Sequence, residues 1–330
     1  MLKRFFIFLS AMIFAVILFE LFLQFSPFSL GIAPVIYDKD IGRWHKKNFS
    51  ARWIRECYNT EYFFNDKGLI KNNYEYKKNK KDIVILGDSY IEAKMVKNKN
   101  IIHNALYQIY NGKYNILNYG LAATSPTQQF VILQKKVNFQ NTKEVIHFIN
   151  MDKDIYECDK RTHNLSMRPA VFLEFTDLEN YRVLAPKKED TKERIRDFLS
   201  QFELYTLLAR TKAYIEDIGV KEDTKQEKLI EKEDLSYNWL QIKGAIYQTK
   251  KLLKDRDIEY KIIIYGANER LKNKLMTFLT KKKIDFYDLY LLAKKYKLPL
   301  EGYPCDGHWN DKSHNNIAKI IKNENIIQRL

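Results

Sequence analysis

Short, continuous apolar runs alternate with longer amphipathic segments along much of the chain. The run at residues 83–86 has charged residues before it and Gly87-Asp88 after it, which is typical of a strand covered on both faces. The pattern predicts, in order, strand 83–87, helix 99–111, strand 114–119, helix 126–138 and strand 144–150. Alternation of this kind implies a parallel sheet with right-handed crossover connections.

The alternation stops at about residue 157 and resumes after residue 235. The intervening sequence predicts a hairpin at 171–175 and 181–184, an amphipathic helical stretch at 191–217, and a mobile, highly charged segment at 221–234. The second part of the pattern predicts helix 237–256, strand 260–265, helix 268–280, strand 284–287 and a last helix from residue 311.

These elements make one α/β domain at 81–330, interrupted by an insertion at 157–235. We expect a three-layer, doubly wound parallel sheet of the flavodoxin-like type. The insertion is expected to form a cap or an acceptor-binding surface beside the pocket. Residues 26–80 are a lead-in segment, with a short strand and turn near 62–68, that we expect to pack on the sheet.

The amino terminus carries a long apolar segment. Lys3 and Arg4 precede residues 5–25, which are long enough as a helix to cross a hydrocarbon core of roughly 30 Å. The leading positive charges favour an inside amino end and an outside remainder. A cleaved signal peptide is the alternative, with a weak cleavage pattern at residues 31–33. We favour an uncleaved anchor at residues 1–25, because the run is long and no convincing cleavage pattern closes it. Glu20 near its outer end could reach the interface, so it is compatible with a span.

Composition limits the remaining possibilities. The 330 residues are 45% hydrophobic and 14% aromatic, which is enough to bury a full core and excludes a disordered protein. The net charge is +15, but no nucleic-acid-binding motif accompanies the scattered Lys and Arg residues. We interpret these residues as solvated surface and expect no nucleic-acid partner.

The chain has three widely spaced cysteines, Cys57, Cys158 and Cys305, which do not make a disulfide framework. Two of them could form one disulfide in an oxidising compartment, and the third cysteine would then stay free. The sequence does not select the pair.

Ser89 stands directly after the first strand of the predicted sheet. Ligands bind beyond the carboxyl ends of the strands in such sheets, which would put Ser89 at the rim of the pocket. A simple helix cap formed by Asp88 or Ser89 is the structural alternative. A nucleophilic serine needs a base, and Asp306-Gly307-His308 precedes the last helix. His308 can take the serine proton at neutral pH, and Asp306 can hold the imidazole tautomer.

Two further residues end strands on the same predicted edge. Gly120 follows the second strand, and a glycine there lets a backbone N–H approach a ligand closely. Asn150 ends the third strand, and its side chain can donate to developing negative charge. We therefore expect Ser89, Gly120, Asn150 and His308 to meet at one edge of the sheet.

A metal site competes for the loop before the last helix, because five ligand-type residues lie within ten positions: Cys305, Asp306, His308, Asp311 and His314. The Cys305-x-x-His308 spacing is ligand-like, but a closed zinc site usually draws a second pair of ligands, and the sequence offers none. We predict no metal and no cofactor. We interpret His314 as a first-turn residue of the last helix that supports the site.

The chain resembles the SGNH/GDSL hydrolase superfamily through four motifs in order: Gly87-Asp88-Ser89, Gly120, Asn150 and Asp306-Gly307-His308. The resemblance covers about 83–155 and 237–330, and the turn at 65–68 is similar to that of a membrane-anchored bacterial branch. Many relatives have Asn-Asp at the third motif, whereas this chain has Asn150-Met151-Asp152. The Asp-x-His spacing looks more like the alginate-acetyltransferase side of the superfamily.

The resemblance implies a serine-dependent mechanism. Ser89 would attack an ester carbonyl, His308 would act as general base and then acid, and Asp306 would orient His308. The N–H groups of Ser89 and Gly120 and the side chain of Asn150 would form the oxyanion hole. Asp88 is interpreted as a structural turn former rather than a member of the triad.

By the same resemblance, the substrate is expected to be an acylated polysaccharide or peptidoglycan carrying O-acetyl groups. The protein would sit in a bacterial inner membrane with a single span and its catalytic domain in the periplasm. The sequence leaves open whether water or a sugar hydroxyl accepts the acyl group, so ester hydrolase and O-acyltransferase both remain. A non-catalytic, membrane-anchored scaffold or glycan-binding protein with the same fold is the alternative.

Overall fold

The computed structural model describes residues 2–26, 35–159, 169–219 and 235–327. In chain order its helices and strands are α1 (Leu2–Phe25), β1 (Val35–Asp38), β2 (Gly42–His45), β3 (Phe49–Arg55), β4 (Tyr58–Phe64), β5 (Asp82–Leu86), α2 (Ser89–Glu92), α3 (Ile102–Ile109), β6 (Asn115–Asn118), α4 (Pro126–Lys136), β7 (Thr142–Asn150), α5 (Asp154–Glu157), β8 (Phe172–Phe175), β9 (Tyr181–Leu184), α6 (Thr191–Leu199), α7 (Glu203–Gly219), α8 (Ser236–Lys254), β10 (Glu259–Tyr265), α9 (Glu269–Lys282), β11 (Asp285–Asp288), α10 (Leu289–Lys295) and α11 (Asp311–Asn323).

Five of these strands form one parallel sheet in the spatial order β11-β10-β7-β5-β6. Counted along the chain within this sheet, the order is 2-1-3-4-5, the flavodoxin-like arrangement. The predicted α/β class and doubly wound parallel sheet are therefore confirmed. In this arrangement the chain reverses its winding between β5 and β7, and the ligand crevice lies beyond the carboxyl ends of those two strands.

The sheet is buried on both faces, as the apolar run of β5 predicts. Ile83 and Ile85 belong to a hydrophobic cluster that includes side chains of α3 and α11. Val84 and Leu86, which point to the other face, belong to a cluster with side chains of α4 and α8. The result is a three-layer structure with helices on both sides of the sheet.

Several elements differ from the sequence pattern. The pattern missed α2, α5 and α10, which are too short to show a helical period. It also missed the lead-in strands β1, β2 and β3. The single amphipathic stretch predicted at 191–217 is two helices, α6 and α7, separated by a turn at residues 200–202.

The lead-in segment forms two antiparallel hairpins, β1–β2 and β3–β4. Alternate residues of β4, namely Tyr58, Tyr62 and Phe64, are buried in the same hydrophobic cluster as Ile83 and Ile85 of the central sheet. The lead-in segment therefore shares a core with the sheet.

Within the insertion the structure describes residues 157–159, 169–219 and 235. β8 and β9 pair as the predicted hairpin, and the backbone N–H of Phe175 donates to Oε1 of Gln241 on α8 at 2.7 Å. This bond holds the hairpin against the helical layer that also contains α4. The segment at 221–234, predicted to be mobile, lies outside the described residues.

A disulfide joins Cys57 to Cys305, which are 248 positions apart in the sequence and have 5.9 Å between their Cα atoms. Cys57 lies in the turn between β3 and β4, and Cys305 lies in the loop between α10 and α11. Cys158 is a buried free thiol. The pairing that the sequence left open thus ties the lead-in segment to the loop that carries Asp306 and His308.

Candidate active site

Ser89 is the first residue of α2, immediately after β5. The side chain of Asp88 caps this helix by accepting a hydrogen bond from the backbone N–H of Tyr90 at 2.9 Å. The sharp change from buried strand to helix holds Ser89 at the carboxyl edge of the sheet. The N–H of Ser89 lies in the first turn of α2, where backbone donors have no intrahelical partner and face toward a ligand.

His308 lies within hydrogen-bond distance of Ser89. The Nε2 atom of His308 is 2.8 Å from Oγ of Ser89, although 219 residues separate them in the sequence. The loop that carries His308 is folded back on itself, since the N–H of Tyr303 donates to the carbonyl of His308 at 2.7 Å. Gly307 has a φ of +74°, a left-handed conformation that glycine adopts without strain, and this allows the tight turn.

Asp306 approaches the other side of the imidazole. Its Oδ1 atom accepts a hydrogen bond from the backbone N–H of His308 at 3.0 Å and lies 3.4 Å from Nδ1 of the ring. The ring contact is at ion-pair distance, but its alignment is not that of a hydrogen bond, since Nδ1 has no hydrogen-bond partner among the described residues. The structure thus brings together Ser89, His308 and Asp306 in the order that a triad requires.

Burial lowers the pKa of His308 below its ordinary value of 6.5, and the Asp306 carboxylate partly offsets this effect by raising it. The imidazole is therefore neutral at pH 7. A neutral Nε2 beside the serine hydroxyl can accept its proton, which is the requirement for a general base.

Gly120 packs against the back of α2. A Cβ at this position would stand 2.4 Å from the backbone nitrogen of Glu92, so only glycine fits. Its N–H donates to Oδ1 of Asn118 at 2.8 Å, and Nδ2 of Asn118 donates to the carbonyl of Ile91 at 2.7 Å. A substrate oxyanion at Gly120 would have to share this N–H with Asn118.

Asn150 ends β7 next to the strand that leads to Ser89. Its Nδ2 donates to Oδ2 of Asp88 at 3.3 Å, and its Oδ1 accepts from the N–H of Asp152 at 3.1 Å. Hydrogen bonds at both Nδ2 and Oδ1 therefore orient the Asn150 side chain, which lies beside the Asp88 cap.

A group of buried acids behind Ser89 was not predicted from the sequence. Asp88 also accepts a hydrogen bond from the hydroxyl of Tyr265 at 2.7 Å. Burial, together with the charge of Asp88, raises the pKa of Asp154 well above its ordinary value and that of Glu157 to about 7. Asp154 accepts the backbone N–H of Asn150 at 2.9 Å. These residues support the turns that carry Ser89 and Asn150.

Tyr58 is a second residue that the sequence did not reveal. Its hydroxyl donates to Oδ2 of Asp306 at 2.8 Å, and its ring packs edge-on against Tyr303 with 5.1 Å between centroids. Burial, and then the Asp306 carboxylate, raise the pKa of Tyr58 to about 12. The only signal in the sequence is that Cys57 and Cys305 immediately precede Tyr58 and Asp306.

The five ligand-type residues near His308 do not assemble a metal site. Cys305 is bonded to Cys57, and Asp311 accepts hydrogen bonds from the hydroxyl of Tyr303 and from Nδ2 of Asn100. His314 is fully buried, and burial lowers its pKa to about 3. Among the residues that the structure describes, no three His, Cys, Asp or Glu side chains are grouped to hold an ion.

No protein-family model matches the chain, and neither does any curated protein. Solved structures do match it. A lipolytic protein of the G-D-S-L family from Desulfitobacterium hafniense is 9% identical, with a TM-score of 0.42, and the match covers 73% of this chain and 98% of that one. A member of the same family from Veillonella parvula is 10% identical, with a TM-score of 0.42 and coverages of 76% and 99%.

An acetyl xylan esterase from Butyrivibrio proteoclasticus is 10% identical, with a TM-score of 0.36, and the match covers 77% of this chain and 66% of that one. The proteins from Desulfitobacterium hafniense and Veillonella parvula bear the name of the superfamily that the sequence motifs resemble. In this chain itself, the sheet has the strand order 2-1-3-4-5. Ser89 follows the first strand of the sheet, and the loop that contains His308 precedes the last helix. The chain therefore has a doubly wound, flavodoxin-like fold with Ser89 and His308 in these two places.

Proposed function

We propose that the protein is a serine-dependent ester hydrolase or O-acyltransferase that works through an acyl-enzyme. The observation that carries this proposal is the 2.8 Å contact between Oγ of Ser89 and Nε2 of a neutral His308. A nucleophile within hydrogen-bond reach of a base, with a carboxylate behind the base, is the arrangement that activates a serine hydroxyl.

In the first half of the reaction, Nε2 of His308 removes the hydroxyl proton as Oγ of Ser89 bonds to the ester carbonyl carbon. The tetrahedral intermediate then collapses, the carbon–oxygen bond to the alcohol breaks, and His308 returns the proton to the departing oxygen. Asp306 stabilises the imidazolium that exists between these two steps.

In the second half, a water or a sugar hydroxyl loses its proton to His308 and attacks the acyl carbon, and the serine leaves with that proton. Water gives a free acid, whereas a sugar hydroxyl gives a new ester. The negative oxygen that forms in each half needs donors. The N–H of Ser89 and the side chain of Asn150 are the ones we assign, with Gly120 sharing its N–H with Asn118.

We propose further that the site acts outside the cytoplasm, on O-acetyl groups of a cell-envelope glycan, with α1 as the membrane anchor. Helix α1 is 24 residues long and apolar enough to cross a membrane. The Cys57–Cys305 disulfide supports an oxidising compartment, because such bonds are rare in the cytosol. Both features agree with a single span and a periplasmic catalytic domain.

The test is to incubate the purified full-length protein with a chromogenic acetyl ester, with and without an oligosaccharide acceptor. We expect turnover by the wild type and loss of it in Ser89→Ala. Free acetate identifies a hydrolase, and acetylated sugar identifies a transferase. A serine-directed phosphonate should label Ser89. Folded wild-type protein that neither reacts with the phosphonate nor turns over the ester would instead support the non-catalytic scaffold.

A further inference from the structure

Helix α6, the turn after it and the start of α7 expose a group of large apolar side chains. The exposed fractions are 54% for Ile195, 61% for Phe198, 37% for Phe202 and 61% for Leu208. Phe198 and Phe202 are in ring contact, with centroids 5.5 Å apart. We call these four residues the apolar patch. A concentration of exposed large apolar side chains marks a site of interaction with a partner or a membrane.

The start of α7, which follows Phe202 of the apolar patch, is hydrogen-bonded to α1. The carboxylate of Glu20 on α1 accepts hydrogen bonds from the backbone N–H groups of Glu203 at 2.8 Å and of Leu204 at 2.9 Å. These are the first N–H groups of α7, which have no partner within the helix and favour a negative charge. Glu20 also accepts from Nε2 of Gln24 at 2.9 Å. As a result, Glu20 is only 9% exposed.

These bonds fix the level of the apolar patch along α1. Glu20 lies five residues before the end of α1 at Phe25, a distance of roughly 8 Å along the helix axis. The first residues of α7, and Phe202 directly before them, are therefore at the height of the last turns of α1. The side chains of α1 at that height are themselves exposed and apolar, with Phe22 at 56% and Phe25 at 85%.

Basic side chains lie on α6 and in the segment before it. Lys188 and Lys192 are exposed, whereas Arg194 is paired with Glu189 at 3.3 Å. Apolar residues in the plane of a membrane surface, with lysine and arginine beside them, are the features of a helix that lies in the interface and contacts anionic headgroups.

We propose that α6 and the start of α7 lie in the outer interface of the membrane that α1 crosses, with the apolar patch in contact with lipid. This inference rests on the proposed role of α1 as a membrane anchor. A bilayer is favoured over a protein partner because the patch continues the exposed apolar surface of α1 at its outer end. Glu20 then holds the insertion against the anchor, and the membrane limits the tilt of the catalytic domain.

The experiment places an environment-sensitive fluorophore at Phe198→Cys in the full-length protein and reconstitutes it into liposomes. The natural cysteines do not interfere, since two form the disulfide and Cys158 is buried. The matched control is Leu291→Cys on α10, whose side chain is 63% exposed, close to the 61% of Phe198. We expect a blue shift and a several-fold loss of quenching by aqueous iodide at position 198 only, with quenching there by brominated lipid.

Flotation of the liposomes reports on the anchor separately. Protein that floats with the liposomes while the probe at 198 stays open to iodide would overturn the lipid contact and leave the anchor standing. Protein that does not float would refute the anchor itself, and the lipid contact with it. Protection at 198 that arises in detergent and increases with protein concentration would also overturn the inference, in favour of contact between copies of the chain.

Discussion

The hydroxyl of Tyr58 donates a 2.8 Å hydrogen bond to Oδ2 of Asp306, the carboxylate whose Oδ1 faces His308. Tyr58 belongs to the lead-in hairpin, so a segment outside the central sheet holds a member of the proposed triad. The disulfide between Cys57 and Cys305 repeats the same connection one residue earlier on each side. Together the two links fix the loop that carries Asp306 and His308.

Tyr58→Phe is expected to lower kcat roughly tenfold or more, with little change in KM. A hydrogen bond to a charged group contributes about 1.5–3 kcal/mol, and each 1.4 kcal/mol or so corresponds to a factor of ten in rate. Without the Tyr58 donor, the Asp306 carboxylate is held less firmly beside His308, so it stabilises the imidazolium less and raises the pKa of the imidazole less. The acid limb of the pH–rate profile should therefore move to lower pH.

The control for this variant is Tyr303→Phe, which removes a hydroxyl from the other ring of the same pair. That hydroxyl donates to Asp311 at 2.6 Å rather than to Asp306. Its loss should leave the midpoint of the acid limb in place. Equal changes in the profiles of both variants would mean that Tyr58 acts only through packing.

Removal of the disulfide should reduce both stability and activity. Replacing Cys57 and Cys305 together by serine removes a covalent bond that closes a very long loop. Such bonds typically stabilise a fold by about 2–4 kcal/mol. We expect a lower midpoint of thermal unfolding and lower ester turnover. A reductant should produce the same loss in the wild type and in Cys158→Ser, but no further loss in the double variant. Full activity in reductant would show that Tyr58 alone holds Asp306.

The pH dependence of activity follows from the environment of His308. Burial lowers the pKa of this side chain, so the neutral, proton-accepting form persists below pH 6.5, the ordinary value for histidine. The midpoint of the acid limb should therefore lie below pH 6.5. The measurement is kcat/KM for a chromogenic ester against pH, because this ratio reports the free enzyme. An acid limb centred above 6.5 would contradict the assignment.

The parts of the site that could be predicted are those encoded by local sequence. An apolar run that ends in Gly87-Asp88-Ser89 is a strand followed by a turn, and Asp306-Gly307-His308 is a loop before a helix. The parallel sheet then brings both to one edge. Sequence could not predict the bond from Tyr58 to Asp306, because 248 residues separate them and the bond depends on how the lead-in hairpin packs.

The same reason explains the other differences. The N–H of Gly120 is bonded to Asn118, two residues away, through a side-chain conformation that no residue pattern specifies. The buried carboxyl groups of Asp154 and Glu157 look like surface charges in the sequence. In the structure α5 lies close to Asp88 and both carboxyl groups are buried. Burial, and then the charge of Asp88, raises the pKa of both.

Ser89→Ala and His308→Ala are each expected to lower acyl turnover by several orders of magnitude while the protein stays folded. The double variant should be barely slower than either single one, since the two side chains act as a unit. Asn150→Ala should cost less, roughly 10²–10³, if Asn150 is one oxyanion donor among several. Additive losses for Ser89 and His308 would show that the two do not share one proton-transfer step.

His314 distinguishes the assigned base from its nearest histidine. Its ring is fully buried beside Trp309, with 6.1 Å between ring centroids, and its pKa is lowered to about 3, chiefly by burial. His314→Leu keeps the site filled and should retain most of the acyl turnover.

A histidine with a pKa of about 3 when folded and about 6.5 when unfolded binds its proton only in the unfolded state between those pH values. The group therefore destabilises the fold progressively as the pH falls from 6.5 toward 3. Urea unfolding in detergent should show a free energy of unfolding that falls less steeply with decreasing pH in His314→Leu than in the wild type. Loss of turnover in this variant at an unchanged unfolding midpoint, together with an active His308→Ala, would mean that His314 is the base.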